Sequence, residues 1–245
     1  MPKLYKVGGC VRDKILGIKT KDIDFVFVLD DLNKTVHEGF QEMKSWMENE
    51  GFTIFLSVPE MFTIRAKFPK GHKFEGLDAD FVMARKEIGY EEGTRRPVLE
   101  LGTLEDDLVR RDFTVNAMAE DEDGNIIDMF NGMEDLDFKL LRTPLDPKDT
   151  FIDDPLRMLR ALRFVITKNF AMYSDVWHAM KQPHILAKLT QTVSSERIRE
   201  EILKMMAADT PRTIRLLLDV DNEVPGFLEI VFKEGLWLKP TFEKR

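Results

Sequence analysis

One cysteine and four histidines are all that 245 residues hold of those types, and the shortage excludes several classes of protein. A lone Cys10 rules out an intramolecular disulfide scaffold and any multi-cysteine zinc site. His37, His72, His178 and His184 show no metal-ligand spacing and read as ordinary surface or packing residues. Long apolar runs are missing as well, so no segment reaches transmembrane length. The start, Met1-Pro2-Lys3-Leu4-Tyr5, has neither a basic leader nor an apolar core of a signal peptide. A soluble, cytoplasmic protein with no membrane partner is expected. Positive charge is short too: the net charge is −8 and the pI about 5.2. That excludes a chain whose main business is coating itself with nucleic acid. It leaves room for a nucleotide or a local RNA contact, because the charge is uneven. Glu120 to Asp137 carries eight acidic residues and no lysine or arginine, whereas Asp153 to Lys204 carries nine basic residues against six acidic.

What is present suits one large domain or two modest ones, with 18 Phe and 13 Met supplying much of the apolar mass. Val11–Leu16 is a short helix candidate behind Gly8-Gly9, and Asp22–Leu29 is an apolar, β-branched strand. Phe40, Met43, Trp46 and Met47 at helical spacing predict a helix over 36–50, stopped by Gly51. Strands are predicted over 52–56, 62–68 and 77–84. A mobile loop is predicted over 86–97, a helix over 104–119, and a tight turn over 121–125 leading into Ile126-Ile127-Asp128. Beyond about Leu140 strand signals nearly vanish. Helices are predicted over 155–165, 176–180, 185–189, 195–208 and 211–219, with Ser194 or Ser195 as an N-cap and Pro211 in a first turn. A mixed α/β part (1–140) followed by a helical part (141–245) is the expected organisation.

Four segments have compositions that phosphoryl-transfer chemistry needs. Gly8-Gly9 lets a backbone approach phosphate oxygens, with Arg12 adding charge in the same turn. Asp22 and Asp24 lie two apart, so a strand would place both carboxylates on one face, where a cation such as Mg²⁺ relieves their repulsion. Asp78 and Asp80 share a face of a second strand, and periodicity does not choose between them. Asp112 and Asn116, in Arg110-Arg111-Asp112-Phe113-Thr114-Val115-Asn116, would sit one helical turn apart. Further on, Asp153-Asp154-Pro155-Leu156-Arg157 opens a helix on which Arg157, Arg160 and Arg163 form a stripe, opposite leucines that take the buried side. Those arginines are expected to be free to meet an anion.

Taken in order, these segments resemble the class II nucleotidyltransferase superfamily, namely tRNA CCA-adding enzymes and bacterial poly(A) polymerases. Gly8-Gly9…Arg12-Asp13…Asp22-x-Asp24 is similar to the catalytic motif, and Arg110 to Ala117 to the ribose-recognition motif. Asp128-x-x-x-Gly132 resembles the motif linking head and neck. Asp153-Asp154-x-x-Arg157 resembles the base-reading motif, and Ser195-Glu196-Arg197-Ile198 a helix brace in the neck.

The resemblance implies an α+β fold: a polymerase-beta-like nucleotidyltransferase head with a mixed, largely antiparallel sheet, then an all-helical neck. It implies that Asp22 and Asp24 hold two Mg²⁺ ions, with Asp80 as the third acid on a neighbouring strand. Gly8, Gly9 and Arg12 would cradle the triphosphate, with Arg111 and Asn116 in the same nucleotide-binding set, and Asp112 would take the ribose 2′-hydroxyl. Asp154 and Arg157 would read cytosine or adenine, steadied by Arg160 and Arg163. The loop Glu87–Arg96 would help switch base specificity.

The implied activity is addition of CMP and AMP, from CTP and ATP, to the 3′ end of tRNA or another RNA, with release of pyrophosphate. An ATP-specific poly(A) polymerase is the alternative of the same chemistry, and a catalytically silent RNA- or nucleotide-binding module the alternative of another class. In two respects the chain departs from the family pattern. Asp153 stands where glutamate is usual, and the body and tail domains that grip tRNA are expected to be absent. A homodimer is one arrangement that would supply that surface in trans.

Overall fold

Lys3–Val7 (β1) and Asp24–Val28 (β2) pair antiparallel at the middle of a seven-stranded sheet, with Gly9–Ile15 (α1) between them in sequence. The computed structural model describes residues 2–20, 22–90 and 97–232. They divide between two units, Met1–Leu136 and Asp137–Arg245.

In the first unit, Val36–Asn49 (α2) starts at a capping box, with Thr35 and Glu38 each satisfying the other's backbone N–H. It is followed by Thr53–Val58 (β3), Thr63–Lys67 (β4), Asp78–Met83 (β5), Arg85–Tyr90 (β6) and Pro97–Leu101 (β7). Leu104–Leu108 (α3), Met118–Glu120 (β8), Ile126–Asp128 (β9) and Gly132–Asp137 (α4) complete this part of the chain. The large sheet runs β3-β4-β5-β2-β1-β8-β9, and only the β2–β5 pair is parallel. A mixed, largely antiparallel sheet is thus what the chain forms.

Strand alternation divides the side chains of β2 between two cores. Phe25 and Phe27 join Phe40, Met43 and Met47 of α2, together with Phe52, Phe68 and Phe81. Val26 turns the other way, toward Leu104, Leu108 and Ala117. Gly39 lets α2 pack closely, since a Cβ there would come within 2.6 Å of Leu101. Asp24, sharing parity with Val26, is left at the end of the second face.

Two predicted elements differ from what forms. The helix expected over 104–119 ends at Leu108; Phe113 is extended (φ −136°, ψ 151°), Thr114–Asn116 make one 3₁₀ turn, and β8 follows. The Asp112 carboxylate accepts the next backbone N–H, from Phe113, at 2.9 Å, and that local bond competes with the helical ladder. It also turns Phe113 fully into the interior. The loop expected over 86–97 is in part a β6–β7 hairpin, while its residues 91–96 lie outside the described residues.

The second unit contains Leu140–Leu141 (β10), Pro147–Asp153 (α5), Leu156–Thr167 (α6) and Ala171–Met172 (β11). Ser174–Met180 (α7), Pro183–Thr192 (α8), Ser195–Ala208 (α9), Thr210–Glu223 (α10) and Phe227–Val231 (α11) follow. Apart from the two-residue parallel pairing of β10 with β11, it is helical. Met158, Leu159 and Leu162 of α6 pack with Ile202 and Met205 of α9 and Leu217 of α10. No described helix is long and apolar enough to cross a membrane.

Candidate functional site

The parallel register of β2 and β5 sets Asp24 opposite Asp80, and the antiparallel register of β5 and β4 sets Asp80 opposite Arg65. These three side chains therefore lie in a row across adjacent strands. Asp22 precedes the strand rather than starting it, and is exposed. It nevertheless lines the same cleft, with Ile23, Asp24, Phe55, Arg65, Asp78, Ala79 and Asp80. Of the two acids that periodicity left open, Asp80 stands opposite Asp24, and Asp78, in the same cleft, pairs with Lys67 at 3.6 Å.

Asp24 is exposed as a residue, yet its carboxyl is partly withdrawn from water. Desolvation pushes its pKa above the ordinary carboxylate value. The Arg111 charge opposes this, the charges of Asp80 and Asp22 add to it, and Arg65 opposes it least, so the net direction is upward. Asp80 is gripped by Arg65, Nε to Oδ1 and Nη2 to Oδ2, each at 2.5 Å. Hard carboxylate oxygens gathered in one cleft, with the charged form of Asp24 disfavoured on balance, fit a divalent cation such as Mg²⁺. The fit is to a pair: among the described residues no three His, Cys, Asp or Glu groups converge on one metal position.

The glycine turn lies beside a buried polar chain. Gly8 has φ +78°, in the region glycine favours, and a Cβ there would come within 2.7 Å of Arg111 Nη1. Arg12 is almost wholly buried; it donates from Nε and Nη2 to Asp13 at 2.9 and 2.7 Å, and from Nη1 to the Asn116 side-chain oxygen. Asn116 in turn donates its amide to Asp112 Oδ1 at 2.8 Å. Arg12 thus anchors the turn to the 112–116 segment. Asp112 and Asn116 do meet, through a 3₁₀ turn rather than the expected α-helix. Arg111 is held by Asp107, at 3.1 and 2.8 Å.

Asp128 and Gly132 act together on backbone. The carboxylate of Asp128 accepts the N–H groups of Phe130, Gly132 and Met133. A Cβ on Gly132 would come within 2.3 Å of the Thr114 carbonyl oxygen.

Within the second unit, Asp154 accepts the Leu156 N–H at 3.1 Å and pairs with Arg197 of α9 at 3.2 Å. Asp153 ends α5 and is exposed. Arg157, Arg160 and Arg163 form the expected stripe on α6, each half-buried. The expectation that the stripe is free to meet an anion is corrected. Arg157 donates to the Thr150 carbonyl at 3.2 Å. Arg163 is bound to buried Glu201 and lies over the Phe164 ring at 5.0 Å. Leucines were not the only groups on α6 with a packing role.

Arg65 is the cleft residue that sequence reasoning passed over. Its signal was parity: Ile64 and Ala66 are core residues, so Arg65 must face the other side of the sheet. Which acid it would meet depended on strand pairing, which the sequence does not spell out.

A family model described as "Poly A polymerase head domain" matches residues 4–142, and one described as "Probable RNA and SrmB- binding site of polymerase A" matches residues 169–234. The nucleotidyltransferase lcsQ of Purpureocillium lilacinum is 33% identical over 222 residues, covering 85% of this chain and 36% of that one. A CCA-adding enzyme of Lactobacillus johnsonii is 34% identical over 247 residues, covering 96% and 54%. Among solved structures, the Bacillus stearothermophilus CCA-adding enzyme in complex with CTP superposes with a TM-score of 0.70 at 30% identity, covering 92% of this chain and 50% of that one. The chain therefore spans about half the length of the CCA-adding proteins to which it is similar.

Proposed function

Because the chain belongs to the poly(A) polymerase head-domain family of the class II nucleotidyltransferases, we propose that it adds CMP and AMP to the 3′ end of tRNA. In that reaction an RNA 3′-hydroxyl oxygen attacks the α-phosphorus of CTP or ATP. A new phosphodiester bond forms, the α–β bridge breaks and pyrophosphate leaves. The observation that carries the reading is Asp24 set opposite Asp80 in the cleft that Asp22 also lines, with the charged form of Asp24 disfavoured chiefly by desolvation. The CCA-adding relatives support tRNA as substrate over ATP-only tailing.

Asp22 and Asp24 hold Mg²⁺ in this reading. Bound there, Mg²⁺ supplies Lewis acidity to the attacking hydroxyl and offsets charge on the phosphates. The protein's own work is placement. The Gly8-Gly9 turn admits phosphate oxygens close to backbone, and Arg111, over Gly8, offers charge there. Arg12 acts one step back, fixing the turn through Asn116. Asp112 accepts the ribose 2′-hydroxyl and so prefers ribonucleotides.

Asp154 and Arg157 serve the base, with Arg160 and Arg163 steadying their helix. Arg197, bonded to Asp154, fixes the carboxylate's direction. Residues 1–140 are the catalytic head and 141–245 the helical neck in this reading. Asp22→Ala and Asp24→Ala are expected to abolish Mg²⁺-dependent nucleotide incorporation while leaving circular dichroism unchanged. Either variant working within tenfold of the parent would overturn the assignment.

A further inference from the structure

Four acids line the cleft, and the sheet treats them in two different ways. The two on β5 are each met by a base from β4: Asp80 by Arg65, and Asp78 by Lys67. Asp22, just before β2, and Asp24, its first residue, make no ion pair among the described residues. Strand register produces the division, since Arg65 stands opposite Asp80 and Lys67 opposite Asp78. Arg65 uses its planar fork, so that both Asp80 oxygens carry a guanidinium N–H. The Asp80 carboxylate is therefore committed sideways to β4, although its backbone position faces Asp24 on β2.

We propose that Arg65 is a positioning residue that holds Asp80 out of the cation-binding set, leaving a two-carboxylate site until the fork opens. The proposal rests on the cation-dependent reading of this cleft. Arg65 does not touch the reacting atoms; it acts through Asp80. The arrangement suits a latch, because the Arg65 side chain is 50% exposed, and a pair so open to solvent is weak and screened by salt. A cation arriving between Asp22 and Asp24 competes for Asp80 by pulling an oxygen from Arg65. Asp78, held by the longer Lys67 contact and lying further from Asp24 along β5, is not the acid so recruited.

The experiment measures Mn²⁺ binding by electron paramagnetic resonance, with no nucleotide or RNA present, in a double-mutant cycle of Arg65→Leu and Asp80→Asn. Arg65→Gln repeats the cycle with a polar side chain in case leucine impairs folding. Arg65→Leu is expected to tighten Mn²⁺ by about threefold or more, the scale on which an exposed ion pair acts. That gain is expected to shrink markedly in the Asp80→Asn background, because the freed ligand is then missing. A gain of equal size in both backgrounds would mean that Arg65 acts only as a nearby charge, and would overturn the latch. Unchanged or weaker binding in Arg65→Leu would overturn it too. Mn²⁺ binding that survives Asp22→Asn combined with Asp24→Asn would instead overturn the cation-dependent reading itself, so the two failures are told apart.

Discussion

Asp24 on β2 and Asp80 on β5 face each other across the one parallel strand pair of the seven-stranded sheet. Burial around Asp24 makes its charge costly, and repulsion between two carboxylates so placed adds to that cost. Because the folded pKa of Asp24 is raised, the penalty is complete above that pKa and vanishes below the ordinary value of 3.8. Asp24→Asn is therefore expected to raise the melting temperature at neutral pH without divalent cations. The difference should close as the pH falls below 3.8. Melting curves of both proteins across that range check the sign, and a stabilisation that grows on acidification would contradict it.

Gly132 carries a second prediction, of packing rather than charge. Its missing Cβ would sit 2.3 Å from the Thr114 carbonyl oxygen, and buried Thr114 also donates its hydroxyl to buried Asp135 at 2.7 Å. Neither side has room to give. Gly132→Ala is expected to cost about 1–3 kcal/mol, the usual range for overpacking, read as a lower urea midpoint at unchanged slope.

In the helical unit, Glu201 is 4% exposed and holds Arg163, with Lys204 at 3.6 Å from its other oxygen. Removing Glu201 leaves the half-buried Arg163 without its carboxylate, though still partly open to water. Glu201→Ala is expected to cost about 1–3 kcal/mol, measured by denaturant unfolding. A loss too small to detect would show that Arg163 finds another acceptor.

Asp112 joins a structural role to a proposed recognition role. It accepts from Asn116 and from the Phe113 N–H, so Asp112→Ala leaves buried donors unpaired at a cost of about 1–3 kcal/mol. Separately, it should weaken the preference for CTP over dCTP. Equal relative use of the two nucleotides before and after substitution would remove Asp112 from ribose recognition and leave only its structural part.

The elements most legible in the sequence were those with one strong period and clear stops. α2 was expected over 36–50 and forms Val36–Asn49; α9 was expected over 195–208 and forms Ser195–Ala208, with Ser194 as its cap. Strands β4 and β5 fall within a residue of their expected bounds because alternation and flanking turns agree there. The 104–119 stretch misled because its apolar spacing suits a helix, while Asp112 offers the backbone a local bond that ends one. Strand β1 was missed: Lys3 and Lys6 dilute its alternation, and it earns its place by pairing with β2 and β8. Long-range pairing was the information lacking at the site as well. Asp22, Asp24 and Asp80 could be picked out as acids of interest, but Arg65 on Asp80 and Glu201 on Arg163 join residues far apart in the chain.

The central claim is tested most directly by offering the protein a tRNA that ends just before its 3′ CCA, with labelled CTP and ATP, and resolving the product base by base. With CTP alone, two cytidines are expected; with both nucleotides, a single adenosine follows and extension stops. Mg²⁺ should be required, and Asp24→Ala should remove all addition. Long runs of adenosine made from ATP without any use of CTP, or no incorporation under any condition, would contradict the account.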